Sequence, residues 1–230
     1  MCANYLPSRP ERLRKQFGVA PSAQGTGKEA FPGYLAPIVR LAEDGSGERE
    51  CVTACFGLVP AWADMKLSRH TYNARTETVG EKPSFRTAFR KRQFCIVPAE
   101  AIFEPNYETG QAVRWKISAT AGLDLGIAGI WEWRPHGGPE DQPLVSFSML
   151  TINADDHPLL MRFHKRGDEK RMVVIIEPDQ YADWLQADAE AARSFFNAYP
   201  AAKLQAVPAP KVLMRKARAK PDNSDNLPLL

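Results

Sequence analysis

The stretch QFCIVPAEAIFE, residues 93–104, decides the fold of this chain. Residues 93–98 predict one strand and residues 101–104 predict a second, which places Glu104 among apolar neighbours. Three further strands follow, each bounded by Gly, Pro or Asp turns: residues 113–119, 123–133 and 144–152. These apolar runs supply most of the hydrophobic core, so the chain is predicted to be rich in β-structure.

Working outward, residues 35–41 and 51–59 predict a hairpin, and residues 172–176 predict a final strand. Residues 72–79 have neither a helical nor a strand period. Three helices are predicted from caps and apolar spacing: residues 8–19, residues 178–186, and residues 189–199 behind Asp188 as N-cap. Strands and helices together predict an α+β fold in one domain, residues 2–207, followed by a mobile C-terminal tail, residues 208–230.

Composition narrows the class of protein. The chain has 230 residues, 44% of them hydrophobic, and its 30 Lys and Arg against 27 Asp and Glu give a net charge of +3. That excess is too small to indicate nucleic-acid binding unless the basic residues are clustered. No secretory signal pattern and no apolar run of about 20 residues is found, so we expect a cytoplasmic protein that does not enter a membrane.

The cysteines do not predict a metal site. Cys51 and Cys55 have the spacing of half a zinc site, but no second pair follows, and Cys95 stands alone in a predicted strand. All three are interpreted as small buried hydrophobic residues. No metal and no cofactor is expected.

Basic and aromatic residues alternate in KPSFRTAFRKR, residues 82–92. Such a pattern suits a groove that follows a phosphate backbone while rings stack on bases. It is equally typical of a helix that packs Phe85 and Phe89 inward and exposes its arginines. We expect both descriptions to apply.

The chain begins Met1-Cys2, so removal of Met1 would leave Cys2 at the amino terminus. A terminal cysteine is a 1,2-aminothiol, whose amine condenses with an aldehyde and whose sulfur then closes a five-membered thiazolidine ring. An α-amine has a pKa of about 7.7–8.0, against about 10.4 for lysine, so part of it is neutral and nucleophilic at neutral pH. Taken alone, however, a cysteine at this position is more often an accident of the sequence.

Several blocks taken in order change that balance, because together they resemble the SOS response-associated peptidase family, also called abasic-site processing proteins. The resemblance covers residues 2–208. Its blocks are the Met-Cys start, FGLVPAW (56–62), NARTET (73–78), the whole of residues 82–104, AGIWEW (128–133), SFSMLTINA (146–154), and a histidine before RMVVII (171–176).

The resemblance implies a compact β-rich fold with a two-sheet or barrel-like core and a positively charged cleft. It implies a monomer that links covalently to abasic sites in single-stranded DNA through Cys2 and removes its own Met1 as a thiol peptidase with lyase-like chemistry. We expect it to be nucleoid-associated when bound to DNA. The catalytic residues it implies are Cys2, Asn73, Glu104 and His164.

Roles follow from the chemistry of these side chains. Glu104 is assigned as general acid and base, or as an ion-pair partner of the amine; His164 as a proton donor to the sugar oxygen or a departing phosphate; and Asn73 as the amide that fixes Cys2. DNA contacts are assigned first to Arg75 and Arg86. Four further candidates follow: Trp62, Arg69, Arg90 and Arg162.

The sequence departs from the family pattern in two places. Glu104 is followed by Pro105 where the family commonly has Trp, and residues 167–170 separate the His164 region from Arg171. If that insertion displaces His164, the alternatives are His157 and His70. Two rival functions also remain open, a peptidase that uses terminal Cys2 on other proteins and a non-covalent single-strand-binding module.

Overall fold

The computed structural model describes residues 2–22 and 29–211. Within them, three short α-helices accompany the strands: α1 (Pro10–Lys15), α2 (Arg86–Arg90) and α3 (Tyr181–Gln186). The strands are β1 (Tyr5–Pro7), β2 (Leu35–Leu41), β3 (Arg49–Phe56), β4 (Asn73–Arg75), β5 (Phe94–Asn106), β6 (Val113–Ala119), β7 (Leu125–Arg134), β8 (Leu144–Asn153), β9 (Arg171–Val173), β10 (Ile175–Ile176) and β11 (Leu204–Pro208). Short 3-10 helices lie at Met65–Arg69, Pro139–Asp141, Leu160–Arg162, Pro178–Gln180, Ala191–Phe195 and Ala201–Lys203.

Five of the strands close into a barrel. They follow the order β7, β8, β3, β2, β5, and a β5–β7 pairing completes the ring. Neighbours are antiparallel except β3 and β8, which run parallel. The predicted β-rich α+β domain with a barrel-like core is therefore confirmed.

Strand β5 extends from the barrel to the edge on which Cys2 lies. Its first half pairs with β7, through Ala99 opposite Leu125, and its second half pairs with β6, starting at Ile102 opposite Ile117. The prediction of two strands over this stretch is wrong, because the backbone stays extended while its partner changes. On the other side of this second half, β1 pairs with β5 and brings the amino-terminal segment alongside Glu104.

The core around these strands is aromatic. Phe56 and Phe147 stack with ring centroids 5.2 Å apart, and Tyr5 meets Phe56 edge-on at 5.2 Å. Helix α3 is fixed to the barrel by Trp184, whose indole N–H donates to the Cys95 carbonyl over 2.9 Å.

Other local predictions differ from the structure. Residues 72–79, predicted without a period, contain β4, and residues 172–176 lie in two short strands, β9 and β10. The predicted helix over residues 8–19 is limited to α1. The predicted helix over residues 189–199 is only a 3-10 turn at Ala191–Phe195, although Asp188 caps it by accepting from two backbone N–H groups.

Strand β11, which is not predicted from the sequence, pairs along β6. Residues 208–211 continue against β6 and Glu29, since the Ala209 N–H donates to the Arg114 carbonyl and Lys211 pairs with Glu29. The rest of the predicted tail, residues 212–230, lies outside the described residues. In the described part of the chain, no helix has the length and apolar character needed to cross a membrane.

Candidate active site

Cys2 is buried, with 2% of its surface exposed. The Asn73 side-chain amide donates to the Cys2 carbonyl over 2.8 Å, and the Cys2 thiol donates to the Asn4 carbonyl over 3.6 Å. The same Asn4 carbonyl accepts from the Phe103 N–H over 2.9 Å, which fixes the segment to β5. Cys2 is thus held in the protein interior by the Asn73 side chain on one side and by the Asn4 carbonyl, itself bound to β5, on the other.

Glu104 and His164 form a contact beside this segment. The His164 Nε2 lies 3.4 Å from the Glu104 Oε2, and only 5% of the glutamate side chain is exposed. Burial raises the pKa of Glu104 to about 7, an effect that the amino-terminal positive charge partly offsets. Burial, with smaller contributions from the amino-terminal charge and Lys170, lowers the pKa of His164 to about 4. Near neutral pH the histidine is neutral, and the carboxyl group can both give and take a proton.

The insertion after His164 does not carry this residue away from Glu104. His164 has a positive φ of 64°, a conformation that costs energy for a residue with a side chain. Its N–H donates to the Pro105 carbonyl over 2.8 Å, and Lys170, from the insertion, donates to the His164 carbonyl over 3.2 Å. Of the alternatives, His157 is engaged by backbone groups at both ring nitrogens, and His70 is exposed.

The thiol of Cys2 is held in its neutral form. Burial, followed by the negative charge of Glu104, raises the pKa of Cys2 well above its usual value. Tyr72, which precedes Asn73, belongs to the same environment, because burial and then Glu104 and Cys2 raise the pKa of its phenol. Sequence reasoning missed Tyr72, although its position next to Asn73 in a motif was a usable signal.

The basic residues assigned to DNA are placed unequally. Arg75 follows Asn73 by two positions on β4, so both occupy the same face of that strand, and its Nη1 lies 2.7 Å from the Glu169 carboxylate. Arg162 makes a two-point pair with Glu108, at 2.8 and 2.9 Å. The remaining candidates, Trp62, Arg69, Arg86 and Arg90, are exposed. Trp62 exposes 67% of its surface.

Among the described residues, no group of three or more His, Cys, Asp or Glu side chains is arranged to hold a metal ion. Cys55 and Cys95 are buried and Cys51 is half-buried, and all three are free thiols.

Comparison with known proteins places this arrangement in a family. Residues 1–215 match the family model described as SOS response associated peptidase (SRAP). The chain belongs to the SOS response-associated peptidase family. The SRAP family suggested by the sequence blocks is therefore confirmed.

Relatives of this SRAP chain carry a common description. The "Abasic site processing protein YoqW" of Bacillus subtilis (strain 168) is 30% identical over 188 residues, which cover 77% of this chain and 79% of that protein. The "Abasic site processing protein HMCES" of Rattus norvegicus is 26% identical over 188 residues, covering 66% of this chain and 52% of that longer protein.

Solved structures share the SRAP fold described above. A Bordetella bronchiseptica protein matches with a TM-score of 0.81 and 38% identity, over 90% of this chain and 99% of that one. A Bacteroides thetaiotaomicron protein matches with a TM-score of 0.73 over 90% of this chain and 91% of that one; at 19% identity it speaks for the fold alone.

Proposed function

We propose that this protein processes abasic sites in DNA by capturing them covalently on Cys2 after removal of Met1. The observation that carries the proposal is the position of Cys2, buried at the start of the chain between the Asn73 amide and the Glu104–His164 pair. The names of the relatives supply the substrate class, DNA damage in the form of abasic sites.

The reaction starts from the ring-opened abasic sugar, which carries an aldehyde. The Cys2 amine adds to the aldehyde carbon to give a carbinolamine, which loses one water to form an imine. The Cys2 sulfur then bonds to the imine carbon, the nitrogen gains the proton that the thiol loses, and a thiazolidine ring results. The net change is condensation with loss of one water, and the DNA strand stays intact.

Each residue of the site serves one of these steps. Glu104, with a pKa of about 7, accepts and returns the protons of carbinolamine dehydration and of the neutral Cys2 thiol. Neutral His164 receives or supplies a proton at the sugar oxygen. The Asn73 Oδ1 is buried without a hydrogen-bond partner among the described residues, so it is available to accept from the amine that cleavage creates.

Removal of Met1 is proposed to use the same thiol. The Cys2 sulfur attacks the Met1 carbonyl, the peptide C–N bond breaks as the amine takes a proton, and water hydrolyses the thioester to release methionine. This reaction makes the chain a thiol peptidase toward its own first bond.

A single strand is the proposed form of the DNA, because a duplex cannot bring its sugar to a buried cysteine without being opened. The exposed arginines of α2 and the exposed Trp62 are suited to phosphate contact and base stacking. Affinity from such contacts falls with salt and depends little on sequence.

Intact mass spectrometry before and after incubation with a single-stranded oligonucleotide bearing an aldehydic abasic site tests the proposal. The expected spectrum shows a chain beginning at Cys2 and then a new species heavier by the oligonucleotide minus one water. Cys2→Ala should form no adduct, whereas Cys51→Ser, which changes the half-buried thiol on β3, should form it normally.

Other outcomes identify the rival functions. Cleavage of a peptide library without a DNA adduct would make the protein a peptidase of other proteins. DNA binding of equal strength in the wild type and Cys2→Ala, with no adduct from either, would make it a non-covalent binding module. A purified chain that retains Met1 contradicts both uses of a terminal cysteine.

A further inference from the structure

A line of alternating charges runs from the candidate site into the insertion. Arg75 pairs with Glu169 at 2.7 Å, Glu169 pairs with Arg171 at 2.8 Å, and Arg171 binds both oxygens of Glu77 at 2.6 and 2.9 Å. The four side chains sum to zero charge at neutral pH. The basic residue nearest to Asn73 along β4 is therefore electrically compensated in the free protein.

The four members are not equally fixed. The Arg171 side chain is 2% exposed and also donates to the Thr151 carbonyl over 2.7 Å, so it belongs to the interior. Arg75 is 49% exposed and Glu169 is 36% exposed. Exposed ion pairs contribute little to stability and exchange partners at small cost.

Glu169 has a second partner when Arg75 leaves. Its other carboxylate oxygen remains on Arg171, so no charge is left unpaired by the exchange. The hydrogen bond from Arg171 also keeps the pKa of Glu169 below its usual value, so the residue stays an anion at neutral pH. Arg75 can therefore turn to another anion while the buried part of the cluster stays intact.

We propose that Glu169 is a built-in competitor of DNA: its carboxylate occupies Arg75 in the free protein, and a backbone phosphate next to the abasic site must displace it. The proposal rests on the proposed function, since it takes single-stranded DNA as the ligand. It makes Glu169, in the segment that departs from the family pattern, a residue that sets how tightly the strand is held.

Binding without chemistry tests this directly. The probe is a single-stranded oligonucleotide with a tetrahydrofuran abasic analogue, which has no aldehyde, so affinity is measured apart from adduct formation. Glu169→Gln should bind about three- to tenfold more tightly than the wild type at low salt. The slope of log affinity against log salt should stay the same, because Arg75 neutralises one phosphate in both complexes once Glu169 has been displaced or replaced.

The matched control is Glu11→Gln, which removes the same charge from the exposed Glu11–Lys15 pair on α1. A gain from Glu169→Gln that exceeds the control gain, and that disappears in an Arg75→Ala background, supports the proposal. Glu169→Ala, checked for normal thermal unfolding, should repeat the gain if the glutamine variant folds poorly.

Two results overturn the inference. One is an equal effect of the two glutamine variants, which would reduce Glu169 to its share of the overall charge. The other is a gain that persists without Arg75. Either can occur while the aldehydic oligonucleotide still forms its adduct, so the proposed function would survive; a missing adduct with an intact affinity gain would show the reverse.

Discussion

Replacing Glu104 by glutamine should make the protein more stable at alkaline pH and remove most of the proposed covalent activity. The amide keeps the shape of the carboxyl group but has no charge to bury. The folded pKa of Glu104 is about 7 against a reference of 4.5. At about 1.4 kcal/mol per pH unit, this difference corresponds to about 3 kcal/mol of folding free energy that the wild type loses between those two pH values.

The direction of the effect follows from proton binding. Because the folded state holds the Glu104 proton more tightly, the wild type loses this stability as the pH rises from about 4.5 through about 7. His164 acts oppositely: its folded pKa of about 4 lies below the reference of 6.5, so its contribution is lost as the pH falls through that range. Between about pH 4.5 and 6.5 the two slopes cancel in the wild type, and only the rising slope of His164 remains in Glu104→Gln.

Urea unfolding at pH 4.5, 6.5 and 8 measures this difference, with the exposed Glu81→Gln as a control. The gain of Glu104→Gln over the wild type should grow from pH 4.5 to pH 8 by up to about 3 kcal/mol. In the same samples the rate of adduct formation should fall by about two to three orders of magnitude, the range of general acid–base catalysis. A stability difference independent of pH, or an unchanged rate, would refute the reasoning from burial.

Three further changes test the support of the site and of the fold. Asn73→Ala should slow adduct formation at least about tenfold while affinity for the tetrahydrofuran oligonucleotide stays unchanged. The variant loses an amide–carbonyl hydrogen bond worth about 1 kcal/mol, and its loss misplaces the Cys2 nucleophile. Equal losses of rate and affinity would contradict this. Arg114→Ala should slow adduct formation about tenfold, because the Arg114 guanidinium donates to the Asn4 side chain over 2.8 Å. Lys116→Ala, on the same face of β6, should not slow it. Similar rates for both variants would count against this role of Arg114. Gly57→Ala should lower the unfolding free energy by more than about 3 kcal/mol, because φ is 113° and a Cβ would collide with the Ser68 backbone. The control Gly45→Ala, in open space at φ 77°, should lower it by only about 1 kcal/mol. Equal losses in urea unfolding would disprove the steric argument.

The sequence predicted the positions of the strands better than it predicted which strands pair. Apolar runs with turn residues between them predicted β2, β6, β7 and β8 closely, because these strands are bounded locally. The change of partner within β5 depends on which strands arrive beside it, and no local signal encodes that. The helix expected over residues 189–199 ends at Phe196, where the backbone leaves helical geometry at φ −80° and ψ 61°. At this point Phe195 packs on Trp184 and Phe196 on Phe89, tertiary contacts that the local sequence does not encode.

The site shows the same division. Met1-Cys2 and the apolar surroundings of Glu104 are readable from the sequence, and the structure brings Cys2, Asn73, Glu104 and His164 to one place. The pairing of Arg75 with Glu169 joins residues far apart in the chain, so it was outside the reach of sequence reasoning. The positive φ of His164 likewise occurs where no local pattern predicts the contacts, since its N–H donates to the Pro105 carbonyl and its own carbonyl accepts from Lys170.

Burial explains how one small site combines a thiol that stays protonated, on Cys2, with a carboxyl group that can act as a base near neutral pH, on Glu104. Withdrawal from water raises the pKa of the Cys2 thiol and, by the same cause, raises that of Glu104 into the neutral range. Cys95 is buried just as completely, and its thiol pKa is also raised, but the charged neighbour that affects it is Arg40 and not a carboxylate. A neutral thiol is no obstacle to the proposed chemistry, since the amine makes the first bond and the sulfur needs to lose its proton only as it closes the ring. The carboxyl group that can take that proton is therefore the feature that separates Cys2 from Cys95.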